Sequence, residues 1–135
     1  SRFRFPGWVD YTRMPEYLAM ADIVVSASAD EQQSRMYLEA QATARVLVAS
    51  DIPAARELVE HNHTGLLFRK ENTDDLAAQI TRAARSPELR VRIGGNARQR
   101  AEVHSIDRVA RQFAAELSVV VERSRQLKSA GLAGG

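Results

Sequence analysis

The chain contains no cysteine, which excludes a disulfide framework, a thiolate metal site and a cysteine nucleophile. No apolar run approaches the ~18 residues needed to cross a bilayer, and the first residues do not have the layout of a secretory leader. Aromatic residues are only 6% of the total, without the interleaving of rings and basic side chains that holds single-stranded nucleic acid. An excess of one charge is lacking too: 19 basic against 17 acidic side chains leave a formal +2. The arginine-rich patches therefore read as solvated helix faces, which could still favour an anionic ligand or membrane surface. The expectation is a cytoplasmic protein, including the periphery of the inner membrane face, with no nucleic-acid partner and no transmembrane segment.

The 135 residues suffice for one domain. The first of them, Ser1-Arg2-Phe3-Arg4-Phe5, alternate without a start methionine. They look like a strand from inside a longer protein, so the chain is expected to be a fragment or one lobe. Phe3–Phe5 is the first expected strand, closed by a Pro6-Gly7 turn. Pro15 opens a helix with Tyr17, Leu18 and Ala21 on its buried face, and Ile23–Ser26 is the next strand. Later segments read as a helix around Ala55–Val59, a polar break at Glu60–Thr64 and a strand from Gly65 to Phe68. His61 and His63 lie in the break with no third ligand at metal spacing, so they read as loop histidines. A helix follows from Thr73-Asp74-Asp75, with the threonine or an acid as its cap, and another from Ser86-Pro87-Glu88. Gly94-Gly95 should weaken that second helix by about 1–2 kcal/mol. A last helix runs from Ser105 with Ile106, Val109, Ala110, Phe113, Leu117 and Val120 on one face, before a frayed tail at 128–135. Alternating strands and helices followed by a helical last third argue for an α/β domain over 1–127 with a parallel sheet.

The stretch Glu31–Ser50 organises the rest. A buried strand ends in a polar loop holding Glu31, a short helix carries Glu39 eight positions on, and Val46–Ser50 is the next strand. This βαβ unit puts its first loop at the carboxyl end of a strand, where open α/β sheets bind ligands. Glu31 and Glu39 could accept hydrogen bonds from sugar hydroxyls, and the helix start near Ser34–Met36 could receive a phosphate. Spacing alone leaves other readings open: a helix cap plus a solvated acid, or an acid/base pair for hydrolysis.

Glu31, Ser34, Leu38-Glu39-Ala40 and Ala42, followed by Val48-Ala49-Ser50-Asp51, Pro53 and Glu57-Leu58, resemble the Glu-x7-Glu region of the GT-B glycosyltransferases of family GT4, or group 1. Phe5-Pro6-Gly7 with Val9, Ala21-Asp22-Ile23, Thr64-Gly65-Leu66-Leu67 and Asp75-Leu76-Ala77 resemble further family segments in order, from Phe3 to about Ala115. The resemblance implies a Rossmann-like parallel sheet with flanking helices, the C-terminal half of a GT-B fold. It implies the donor-binding part of a retaining transferase that uses a UDP- or GDP-sugar, with no cofactor and no metal. Glu31 would contact the transferred sugar as an orienting group, not a nucleophile, and Glu39 the ribose hydroxyls. Gln32, Gln33, Ser34 and Arg35 would meet sugar and phosphate, and Gly7 and Trp8 would lie near the base.

The chain departs from the family pattern at Gln32-Gln33, Ala44 and Ala54, where glycine or Gly-aromatic is usual. A left-handed Ala44 would cost on the order of 1 kcal/mol. The family's upstream basic residues and acceptor lobe are not in this chain, so activity is expected to require that lobe or a partner chain. The last helix could self-associate through its apolar stripe. The other reading is a non-catalytic α/β interaction or assembly domain with a degenerate donor site.

Overall fold

The runs richest in β-branched residues form two adjacent strands. In a computed structural model, β1 spans Ile23–Ser26 and β2 spans Val46–Ser50, as expected, and Leu66–Phe68 forms β3. The structure describes residues 2–30, 35–103, 105, 114, 115, 117–119, 121–123, 125 and 126. The three strands make a parallel sheet in the order β1-β2-β3. Val24 lies opposite Leu47, and Ala49 lies between Ser26 and Leu67. Every residue of β2 is buried, as a central strand covered on both faces requires. Among the described residues nothing pairs with the outer edge of β1, where Val25 is 42% exposed.

A 3-10 turn at Tyr11–Arg13 leads into α1, Met14–Met20; α2, Arg35–Ala42, crosses from β1 to β2. After β2 come α3, Pro53–Leu58, then β3, α4, Thr73–Arg85, and α5, Pro87–Val103. Side chains alternate across the strands, so each face of the sheet gathers its own helices. Val24, Leu47 and Ala49 pack with Leu18 of α1, Tyr37 and Ala40 of α2, and Ala54 and Ala55 of α3. Val46, Val48, Leu66 and Phe68 pack with Ala83 of α4 and Leu89 and Ile93 of α5. The architecture is the Rossmann-like sheet with flanking helices expected from the sequence.

Two local expectations need correction. Phe3–Phe5 is not a strand and takes no part in the sheet, and its two phenylalanines are 76% and 90% exposed. Alternation gives a segment two faces, but a strand also needs a neighbour to supply its ladder. The turn after it does form, with Gly7 at φ +71°, where a side chain would be strained. The cap of α4 is Asn72, whose side chain accepts from the Asp75 N–H at 2.8 Å. Asp75 is occupied elsewhere, accepting from the Arg69 N–H at 2.7 Å.

α5 runs unbroken through Gly94-Gly95. Ala44 is left-handed, at φ +55°. It closes α2 with two bonds, Arg45 N–H to Ala40 C=O at 3.1 Å and Ala44 N–H to Gln41 C=O at 3.0 Å. This paired closure favours glycine at the left-handed position. A Cβ on Gly94 would collide with the carbonyl of Ala44, whereas one on Gly95 would meet open space. Gly94 therefore lets α5 lie against the turn that ends α2.

The chain divides into two units, Ser1–Ala101 and Glu102–Gly135. In the second, the described residues from 114 to 126 are helical, with Leu117, Val119 and Val121 exposed. Ile106, Val109, Ala110, Phe113, Val120 and the tail 128–135 lie outside the described residues.

Candidate functional site

All three strands run parallel, so their carboxyl ends at Ser26, Ser50 and Phe68 lie along one edge. From that edge the chain leaves β1 through Ala27–Asp30 and enters α2 at Arg35. Glu31, Gln32, Gln33 and Ser34 lie outside the described residues; Gly7, Trp8, Arg35 and Glu39 lie within them. Arg35 and Glu39 are one turn apart on α2, the spacing that puts two side chains on one face. Tyr37, Ala40 and Gln41 take the buried side of the helix, leaving Arg35 exposed and Glu39 half-buried.

Tyr11 joins this pair. Its hydroxyl donates to Glu39 Oε1 at 2.7 Å and accepts from Arg35 Nη2 at 2.7 Å. The Arg35 guanidinium also covers the ring, with Cζ 4.8 Å from the centroid, inside cation–π range. The turn holding Tyr11 is tied by Asp10, whose Oδ1 accepts from the Thr12 N–H at 2.9 Å and the Thr12 hydroxyl at 2.5 Å. Those bonds favour the charged carboxyl and hold Asp10 below its usual range. The hydrogen bond to Glu39 pushes the Tyr11 phenol upward, because ionising it would place two anions together.

Sequence reasoning missed Tyr11. The one local signal is an aromatic ring in an otherwise polar turn; its partner lies 28 positions away. Gly7 and Trp8 precede Tyr11 by four and three residues, so the segment expected near a base is tethered to Glu39 by a short connection. Trp8 is 86% exposed.

The two histidines serve the turn before β3, as loop residues. His61 Nδ1 accepts from the Leu67 N–H at 2.9 Å, and His63 meets Asn96 at 3.3 Å. Among the described residues no three histidine, aspartate or glutamate side chains are grouped to hold a metal ion. A cavity of about 140 Å³ at the carboxyl edge is lined by Ala27, Ala29, Phe68, Leu76 and others, with Glu71 the one charged group among its described lining residues. A hollow of about 220 Å³ lies by Ala44, Arg45 and Arg90 at the amino ends of β1 and β2, away from that edge.

Residues 1–100 match the family model described as "Glycosyl transferases group 1". A D-inositol 3-phosphate glycosyltransferase of Streptomyces bingchenggensis is 27% identical over 128 residues, 95% of this chain and 28% of that protein. One from Actinosynnema mirum is 35% identical over 95 residues, 70% of this chain and 23% of its own length. Among solved structures, sucrose-phosphate synthase from Thermosynechococcus elongatus superposes with a TM-score of 0.77 at 26% identity, covering 94% of this chain and 30% of that one. Anabaena HepE in complex with UDP gives 0.69 at 29% identity, covering 78% and 30%. The chain thus spans less than a third of the length of these relatives.

Proposed function

Since the chain belongs to the group 1 glycosyl transferases and has the α/β architecture of a GT-B domain, we propose that it forms the donor-binding part of a retaining transferase. In this reading it holds a UDP- or GDP-sugar whose sugar passes to an acceptor. The observation that carries the proposal is the Arg35–Glu39 face of α2, reached by the turn that follows Gly7 and Trp8. A nucleoside diphosphate presents a vicinal diol and an anion a few ångströms apart. A carboxylate accepts from the diol and a guanidinium meets the anion.

Glu39 takes the ribose hydroxyls; Arg35, with the backbone N–H groups of Gln32, Gln33 and Ser34, takes the diphosphate. Glu31 orients the sugar, and Gly7 and Trp8 flank the base. The acceptor hydroxyl attacks the anomeric carbon from the face the diphosphate leaves, and its proton passes to the departing phosphate oxygen. No covalent enzyme intermediate and no metal take part, since Arg35 and the start of α2 supply positive charge to the leaving group. Acceptor binding falls to another lobe or a partner chain, because transfer needs donor and acceptor held in line. HepE, crystallised with UDP, supports a nucleotide in this family's cleft.

Calorimetric titration of the chain with UDP, UDP-glucose, GDP and GDP-mannose tests the reading. Weak saturable binding is expected, falling about tenfold or more in Glu39→Gln, as for loss of charge-assisted hydrogen bonds. Binding untouched by that change, with the variant folded by circular dichroism, would overturn it.

A further inference from the structure

Arg35 and Glu39 have the spacing of a direct helix ion pair, yet no salt bridge joins them among those of the described residues. The Tyr11 hydroxyl stands between them instead, donating to one and accepting from the other. It offers the carboxylate what a ribose hydroxyl would offer, and gives the guanidinium the oxygen a phosphate would give. Nothing about packing pins it there. Tyr11 is 56% exposed, and its three-residue turn contains no buried residue.

We propose that Tyr11 is a latch on the donor site, a built-in competitor that the ribose and diphosphate of the nucleotide displace. The inference rests on the donor-site reading above and adds a regulating residue outside the Glu-x7-Glu motif. A diol engages a carboxylate best through both oxygens, and Oε1 of Glu39 is taken. Arg35 is held twice, through Nη2 and through its stacking on the ring. Entry of the nucleotide must break the hydroxyl's bonds; the ring can then move off or remain against the guanidinium.

The test is titration of the full chain with UDP in wild type, Tyr11→Phe and Glu39→Gln. Tyr11→Phe keeps the ring and removes the competing hydroxyl, so UDP should bind roughly three- to tenfold tighter. In wild type labelled with ¹³C-tyrosine, UDP should also shift the Tyr11 ring resonance, assigned by its loss in Tyr11→Phe. A role confined to stability would produce neither effect. If Glu39→Gln weakens binding while Tyr11→Phe leaves it unchanged or weaker, the latch is overturned and the donor site stands. If Glu39→Gln has no effect, or no form of the folded chain binds UDP, the donor reading falls and the latch with it.

Discussion

Asp51 leaves β2 in a two-pronged ion pair with Arg56, Nε to Oδ1 at 2.6 Å and Nη2 to Oδ2 at 2.9 Å. The arginine's hydrogen bonds hold the Asp51 carboxyl below its ordinary value. A carboxyl lowered on folding stabilises the fold above its unfolded pKa, about 3.9, and that contribution disappears as pH falls through the folded value. Arg56 is 66% exposed, so solvent screening keeps the effect small. Arg56→Met should therefore lower the unfolding temperature slightly at pH 7, and the gap should narrow as pH falls below the unfolded value, about 3.9; a gap unchanged by acid would refute the assignment. Single residues were legible in the sequence where the physics is local. His61 and His63 were read as loop residues from the absence of nearby ligands. Asn72 was passed over because Thr73 and two acids stand beside it, and the cap depends on which side chain precedes the first helical turn. Tyr11 was invisible because its importance comes from a partner on another element.

The element scale shows a different balance. β1 and β2 were readable to the residue, since runs of β-branched side chains bounded by polar ones have few alternatives in an α/β chain. Phe3–Phe5 has an equally good pattern but lies outside the sheet, and sheet pairing is not written in a segment's own composition. For α5 the sequence warned of two glycines without showing that they differ. Gly94→Ala should cost about 1–3 kcal/mol, because the new methyl presses on backbone that cannot yield easily. Gly95→Ala should stabilise by about 0.5–1 kcal/mol through helix propensity alone. Ala44→Gly should be neutral or stabilising, as it relieves the left-handed alanine. Chemical denaturation of the three variants checks this, and equal destabilisation by both alanines would refute the proposed contact between α5 and the end of α2.

At the scale of the molecule, the α/β class and the family were legible because their signals are distributed along the chain: strands at expected places, helices between them, and family-like segments in order. The candidate site was legible in part. Arg35 and Glu39 fall on one face of α2 as their spacing requires, while Glu31, Gln32, Gln33 and Ser34 lie outside the described residues. If acceptor binding falls to another lobe, as proposed above, residues 1–135 alone should release no UDP from UDP-glucose in a coupled assay, even where titration detects binding. Release of UDP at a rate dependent on an added acceptor would show that this chain needs no other lobe. The outer edge of β1, unpaired among the described residues, has a consequence for handling the protein. Ile23-Val24-Val25 offers hydrogen-bonding backbone with neither charge nor proline to discourage a stranger, the circumstance in which strands recruit strands from other molecules. Concentrated or partly unfolded material is therefore expected to associate through this edge, even though the surface charge is nearly balanced.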